Sequence, residues 1–155
     1  MVNLLSVKSG LGGKLIHRQA GKLSKCQVVK IFIDIHSFPM EINGIHPNDA
    51  KTRAKELLGY VGLTDEQMKR FPSKLSGGEQ QRVAIARSLA SGAKLILADE
   101  PTGNLDVENT NNIIDILQNL AHNEGYCIII VTHDLEVAEM ADLCFRMKDG
   151  VLEKT

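Results

Sequence analysis

The sequence predicts an α/β fold built on a parallel sheet, with a small helical part in front of it. Two short apolar runs, LILAD at 95–99 and CIIIVT at 127–132, are typical of strands buried on both faces. The stretch between them has helical spacing, so strand, helix and strand form one crossover unit. Capping boxes beginning at Thr64 and at Ser76 each open a helix ahead of the first strand.

The helical part is expected at about residues 48–75. Asn48 or Asp49 can cap its first helix. The apolar residues of that helix share one face: Ala50, Ala54, Leu57, Leu58 and Val61. Thr64 and Gln67 form a capping box for a short second helix, which a Phe-Pro pair ends.

A longer helix is predicted over 76–90, because Ser76 and Glu79 make a second capping box and Gly92 follows its end. The core then extends over 94–155. Its crossover helix is marked by apolar residues at helical spacing: Ile113, Ile114, Leu117, Leu120 and Ala121. Near the end of the chain, the Asp-Gly pair at 149–150 predicts a hairpin turn.

Composition restricts the class of protein. A chain of 155 residues with 43% hydrophobic residues is expected to form one soluble globular domain. It has no uninterrupted apolar stretch of transmembrane length, and its start has too short an apolar run for a secretory signal. The three cysteines lack metal-ligand spacing and suit a reducing cytosol, with Cys127 and Cys144 interpreted as small buried residues.

The net charge of −1 is unevenly distributed along the chain. Residues 1–38 carry a balance of +5, and residues 39–155 carry −6. A basic head can serve as an arm for nucleic acid or membrane, but this one lacks interleaved aromatic residues, which favours a solvated segment. Within it, VVKIFIDI at 28–35 has the composition of a strand, and the remainder is unassigned.

The stretch SGGEQ, which begins at Ser76, is the first that points to chemistry. Gly77 and Gly78 let a phosphate approach the backbone closely. Free N–H groups and the positive dipole end of the following helix face the same place. The alternative is that Ser76 and Glu79 simply cap the helix.

Two adjacent carboxylates, Asp99 and Glu100, end the first strand. Open α/β sheets bind ligands at the carboxyl ends of their strands. There Asp99 can hold Mg²⁺, directly or through water, and Glu100 can orient or deprotonate an attacking water. The alternative is a pair of solvated turn carboxylates. His133 follows the second strand at the same edge of the sheet, where a hydrogen bond to a phosphate is geometrically reasonable.

These motifs, in this order, resemble the ATP-binding subunits of ABC transporters, and the resemblance covers roughly residues 39–155. LSGGEQ at 75–80 resembles the family signature, although Glu79 stands where a second Gln is usual. LILAD and Glu100 resemble the Walker B strand with its catalytic glutamate, and His133 resembles the switch histidine. Asn104, Leu105 and Asp106 resemble the D-loop. DEPTGNLD and VTHD are most similar to the branch that serves lipoprotein release and macrolide export.

The resemblance implies a P-loop NTPase-like fold, with ATP and Mg²⁺ as cofactors. It also implies a head-to-tail dimer of ATPase subunits. Ser76, Gly77, Gly78 and Glu79 would then contact a nucleotide held by the other subunit. Asp99 would bind Mg²⁺, and Glu100 and His133 would be catalytic in their own subunit's site. The further implied partner is a membrane-spanning transporter subunit that the helical part faces, which would keep the chain cytoplasmic, at the inner face of the membrane.

One family motif is missing from the 155 residues. The phosphate-binding loop has the pattern G-x-x-x-x-G-K-[ST]. Gly13-Lys14 lacks the first glycine and the final Ser or Thr, and Gly21-Lys22 lacks both as well. The expectation is therefore an incomplete ATPase domain over 39–155, inactive alone, with residues 1–38 not matching the family. N-terminal sequence of the family would be missing or replaced.

Two other functions stay open at this point. A genuine homologue without the loop could act as a non-catalytic binding module. ABC-type ATPases of DNA repair and chromosome maintenance also use Glu after the signature glycines. These need long coiled-coil arms, and no heptad stretch is present here. The negative charge balance of residues 39–155 also argues against a nucleic-acid surface, so no nucleic acid is expected as a partner.

Overall fold

A computed structural model describes residues 39–154 of the protein. The predicted basic segment at 1–38 and its strand at 28–35 lie outside the described residues. Beyond a helical stretch at 39–42, five helices are described: α1 (Pro47–Tyr60), α2 (Asp65–Met68), α3 (Gly77–Ala90), α4 (Val107–His122) and α5 (Leu135–Glu139). A 3₁₀ turn occupies Pro72–Lys74. The four strands are β1 (Leu95–Asp99), β2 (Cys127–Val131), β3 (Phe145–Lys148) and β4 (Val151–Lys154).

The first helix begins slightly earlier than predicted. Its N-cap is His46, whose Nδ1 accepts from the Asn48 N–H at 3.4 Å, so the prediction of Asn48 or Asp49 as cap is wrong. The reason is Pro47, which is well suited to the first helical position because it has no N–H to satisfy. The predicted apolar face is confirmed, since all five of its residues are buried: Ala50, Ala54, Leu57, Leu58 and Val61.

Both predicted capping boxes are present. The Gln67 N–H donates to Thr64 Oγ1 at 3.3 Å, and the Thr64 N–H donates to Gln67 Oε1 at 2.7 Å. Glu79 and Ser76 make the same reciprocal pair at the start of α3, at 3.3 and 2.6 Å. α1 packs against α3, so the helical part and the signature helix share one hydrophobic core.

The two central strands pair in parallel, as the sequence predicts. Their register runs from Leu95 opposite Cys127 to Asp99 opposite Val131, and α4 connects them. This register brings the carboxyl ends of both strands to the same edge of the sheet. The crossover helix is strongly buried at Ile113, which has no exposed area.

The prediction that these strands are buried on both faces is wrong for the part of the chain that is described. Ile96, Ile128 and Ile130 pack into the core from one face. On the other face, Leu97 is 69% exposed and Leu95 is 50% exposed. Ile129 and Cys127, which was interpreted as buried, lie exposed on that face too. The cause is that the helices described between 39 and 154 pack against one face of the sheet.

The hairpin predicted at 149–150 is confirmed. β3 and β4 pair antiparallel, with Lys148 opposite Val151. Asp149 and Gly150 both have positive φ, at 50° and 80°, which is the backbone of a type I′ turn. Among residues 39–154, no helix is both long and apolar enough to span a membrane.

Candidate functional site

The carboxyl ends of β1 and β2 bring two of the predicted residues, Glu100 and His133, into contact. Glu100 directly follows β1, and its backbone N–H donates to the Val131 carbonyl at the end of β2 at 2.8 Å. This bond extends the parallel ladder by one residue beyond Asp99. His133 follows two residues after Val131, so its side chain lies beside that of Glu100. The strand pairing therefore assembles the site.

The backbone of Glu100 has an unusual conformation. Its φ is +47°, a region that side chains other than glycine, asparagine and aspartate seldom adopt. Two hydrogen bonds hold it there: its N–H donates to Val131, and its carbonyl accepts from the Gly103 N–H at 3.1 Å. A backbone of this kind costs of order 1–3 kcal/mol, and such costs cluster at functional sites.

Both oxygens of the Glu100 carboxylate are hydrogen-bonded. Oε1 accepts from His133 Nδ1 at 2.6 Å and from the His133 backbone N–H at 3.1 Å. Oε2 accepts from Thr132 Oγ1 at 3.2 Å. The Thr132 hydroxyl oxygen also accepts from the Asp134 N–H, at 3.0 Å, which fixes the start of α5. The carboxylate is thus held in one orientation while its side chain stays 38% exposed.

These contacts shift the pKa values of Glu100 and His133 in opposite directions. The hydrogen bond from the His133 side chain lowers the pKa of Glu100 below its ordinary value. The same bond, with the carboxylate's charge, raises the pKa of His133. Glu100 is therefore ionised near neutral pH and can accept a proton or orient a water. His133 gains positive character, which favours a neighbouring anion.

Asp99 is positioned to supply one ligand to a cation. It ends β1, and its side chain is on the exposed side of the sheet edge, next in sequence to Glu100. Residues 39–154 contain no cluster of three or more metal-ligating side chains. One carboxylate suits Mg²⁺, which typically takes one or two from the protein together with phosphate oxygens and water.

The start of α3 leaves backbone donors available. Ser76 is the N-cap, and its hydroxyl accepts from the Glu79 N–H. No described residue accepts from the N–H groups of Gly77 and Gly78. Ser76 and Gly77 are exposed, so this helix end can present N–H groups and a positive dipole end to an anion.

The loop at 104–106 packs against that same helix start. A side chain at Gly77 would lie 3.1 Å from Leu105 Cδ2, which is a close approach. Asp106 caps α4, where its Oδ1 accepts from the Asn109 N–H at 2.8 Å. Asn104 is exposed and has a positive φ of 63°. The signature glycines and this loop therefore form one packed unit within the chain.

Comparison with known proteins decides the family, because a family model described as "ABC transporter" matches residues 6–103. The chain belongs to the ABC transporter family. It is 52% identical over 103 residues to the lipoprotein-releasing system ATP-binding protein LolD 2 of Rhodopirellula baltica, a match that covers 66% of this chain and 40% of the relative. It is 42% identical over 115 residues to the ABC transporter ATP-binding protein YtrE of Bacillus subtilis, covering 74% and 49%.

Two further matches extend this result. The macrolide export ATP-binding/permease protein MacB 2 of Yersinia pestis is 48% identical over 107 residues, which are 69% of this chain and 16% of that protein. A solved dimeric structure of the bacterial ABC transporter cassette MJ0796 superposes with a TM-score of 0.69 at 35% identity, covering 79% of this chain and 54% of that one. The chain resembles the lipoprotein-release and macrolide-export branch and has the P-loop NTPase fold of these cassettes.

The chain spans about half the length of the first curated relatives it matches, from 40% to 55%. The family match begins at residue 6, ahead of the boundary near residue 38 that the sequence predicts. It includes Gly13 and Lys14, which do not complete the phosphate-loop pattern. The division at residue 38 stays a prediction.

Within this ABC signature, Glu79 differs from its neighbours. Its side chain is turned back into the protein and only 8% of the residue is exposed. Oε2 accepts from the Ser76 N–H and Oε1 from Gln67 Nε2, both at 2.6 Å. Contact between this carboxylate and a nucleotide would first require those bonds to break. The Ser76 hydroxyl also bonds within this box, whereas Gly77, which is exposed, and Gly78, which is buried, have no such restraint.

Sequence reasoning missed two residues of the site. Thr132 binds the second oxygen of Glu100, and Asn109 lies directly against Gly78. Thr132 carried a signal, since a hydroxyl residue separates the strand from His133 and can reach a carboxylate at the same edge. Asn109 carried none, because its contact with Gly78 depends on how α4 lies against α3.

Proposed function

We propose that the chain is the signature-bearing part of an ATP-hydrolysing subunit of an ABC transporter that powers export or lipoprotein release. The observation that carries the proposal is the hydrogen bond of 2.6 Å between Glu100 and His133, where two parallel strands end. The relatives named for lipoprotein release and macrolide export support the branch.

Each residue of this edge has a part in the proposal. Glu100, ionised and held by Thr132 and His133, orients the attacking water and accepts its proton. His133 places a donor beside the phosphate that is transferred. Asp99 is the carboxylate that Mg²⁺ would use, and the ion, when bound, neutralises charge on the phosphate oxygens.

The signature acts on a second nucleotide. In a head-to-tail dimer, Ser76 and the free N–H groups of Gly77 and Gly78 would bind the γ-phosphate of ATP held by the other subunit. A solved relative with TM-score 0.68 and 34% identity is described as a dimeric post-hydrolysis state of the cassette MJ0796 bound to ADP and Pi. That likeness supports a dimer for this chain, with Asn104 in the loop nearest the partner.

We further propose the surroundings of such a dimer. A membrane-spanning transporter subunit would dock on the helical part at about 48–75. The chain would then work on the cytoplasmic side, at the inner face of the cell membrane. The relatives named as parts of transport systems support this arrangement.

Taken alone, the 155 residues should neither bind ATP with useful affinity nor hydrolyse it. Phosphoryl transfer depends mainly on positioning and charge stabilisation, and the loop that supplies most phosphate contacts has no matching pattern here. The same missing pattern favours a second candidate function. The chain would then be a non-catalytic module whose signature motif contacts the nucleotide held by a complete subunit.

Two experiments test the proposal. Calorimetric titration of the purified chain with MgATP should show no binding. A dissociation constant in the low micromolar range would contradict this prediction, and Lys14 would then be the first residue to replace. In a cassette completed by a relative's loop-bearing front portion, Glu100→Gln should lower turnover by ~10²–10⁴ while ATP still binds. Glu139→Gln, an exposed carboxylate on α5, is the matched control, and equal turnover in both variants would remove Glu100 from the role.

A further inference from the structure

The two capping boxes of the described chain are joined through one side chain. Gln67 closes the box of α2 with its Oε1, which accepts from the Thr64 N–H at 2.7 Å. Its Nε2 donates to Glu79 Oε1 at 2.6 Å. Glu79 in turn closes the box of α3 with its other oxygen, which accepts from the Ser76 N–H. An unbroken chain of hydrogen bonds therefore connects the start of α2 to the start of α3.

Burial makes this connection costly to lose. Glu79 is only 8% exposed, and the Arg70 guanidinium lies 3.7 Å from its Oε1. The Ser76 backbone N–H lowers the pKa of Glu79, and the Gln67 side chain adds to that effect against the opposing effect of burial. A buried ionised carboxylate depends on its donors, because an unmet charge there costs more than a neutral group would.

We propose that Gln67 is a positioning residue for the signature: by donating to Glu79 it fixes the backbone at Ser76 and hence the direction of the Gly77 and Gly78 N–H groups. The inference rests on the proposed role of those N–H groups at a phosphate. It also gives a reason for Glu at position 79. A carboxylate accepts from Ser76 and from Gln67 at once, with one oxygen for each donor.

A role of Gln67 in capping α2 alone has to be separated from this one. Gln67→Glu does so, since Glu and Gln serve equally at that position of a capping box. The variant keeps the acceptor for Thr64 but places a second carboxylate against Glu79. The exchange variant Gln67→Glu with Glu79→Gln restores one donor and one acceptor across the contact.

The test measures amide hydrogen exchange by NMR in the full 155-residue chain. Gln67→Glu should speed exchange at Ser76 by roughly tenfold, about the effect of losing one hydrogen bond, and the exchange variant should return it towards wild type. Gln81→Glu, which adds the same charge to α3, should leave Ser76 unchanged. Where Gln67→Glu does not fold, Gln67→Ala removes the donor without adding charge, but it also removes the acceptor for the Thr64 N–H. Its control is Thr64→Ala, which disturbs the capping box of α2 alone and should leave exchange at Ser76 unchanged.

Unchanged exchange at Ser76 in Gln67→Glu, or no recovery in the exchange variant, would overturn the inference. A second readout separates it from the proposed function. The chain is added to a complete ABC subunit whose own signature serine is arginine, and ATP hydrolysis is followed. Hydrolysis stimulated by wild type and by the exchange variant, but less by Gln67→Glu, supports both proposals. No stimulation by wild type, with the exchange pattern intact, refutes the function and leaves the positioning role standing.

Discussion

Replacing Gly78 with alanine should destabilise the chain by disturbing a neighbouring helix. The added methyl would overlap Asn109 Oδ1 and lie 2.7 Å from its Cγ and 3.1 Å from its Cβ. Asn109 is not free to move, because its Nδ2 donates to both carboxylate oxygens of Asp106, at 2.9 and 3.0 Å. Relieving the overlap therefore means loosening the cap of α4.

The magnitude follows from three effects. Overpacking of this kind costs about 1–3 kcal/mol. Losing hydrogen bonds to a charged group costs roughly 1.5–3 kcal/mol. Alanine regains up to about 1 kcal/mol over glycine within a helix. Together these effects give an expected net loss of roughly 1.5–6 kcal/mol in the free energy of unfolding. In an Asn109→Ala background the loss should be smaller, because only the 3.1 Å approach to the Cβ of residue 109 remains.

The assay is urea unfolding followed by far-UV circular dichroism for both single variants and the double variant. Gly59→Ala is the matched control, since it lies within α1 and a Cβ there would meet nothing within 4 Å. It should stabilise by up to about 1 kcal/mol. An equal cost of Gly78→Ala in both backgrounds would show that the overlap with Asn109 is not its cause.

Three further outcomes are expected. The pKa of Glu79 is lowered in the folded chain, so its stabilising contribution is complete above the ordinary value of 4.5 and is lost as pH falls through the folded value. The urea midpoint of wild type should therefore fall more steeply than that of Glu79→Gln as pH is lowered from 6 to ~3. Ile113→Ala removes a fully buried side chain and should cost about 2–5 kcal/mol in thermal or urea unfolding. Leu97→Lys places a charge on the exposed apolar sheet face and should raise the concentration at which the chain stays monodisperse in light scattering, whereas no gain would show that this face does not cause association.

The fold was predictable where local chemistry determines it. The two capping boxes, the turn at 149–150 and the paired strands follow from side chains that act on their own backbone or on the nearest element. The predicted cap of α1 lies two or three residues too late, because Asn48 and Asp49 are common cap residues but Pro47 favours a helix start at His46.

The site was predictable in its outline, since Asp99 ends β1, Glu100 follows it and His133 lies just past β2, and parallel pairing brings these strand ends to one edge. Its details depend on packing that sequence does not encode locally. The bond from Gln67 to Glu79 joins residues 12 positions apart through a loop, and the contact of Asn109 with Gly78 joins two different helices. The apolar runs alone predicted burial on both faces, because a run of apolar residues does not show which elements cover it.

At position 100, the left-handed backbone favours glycine for stability, whereas the proposed chemistry requires the glutamate carboxylate. Glycine adopts φ of +47° without steric cost, so Glu100→Gly should relieve strain of order 1–3 kcal/mol while deleting the carboxylate. A mutant library screened only for heat resistance would therefore enrich glycine at position 100 wherever the relieved strain exceeds the loss of the hydrogen bonds to Thr132 and His133, whatever the activity of those clones. Directed evolution of such a cassette needs selection on turnover at every round, because thermal selection alone rewards removal of the carboxylate that we propose as its general base.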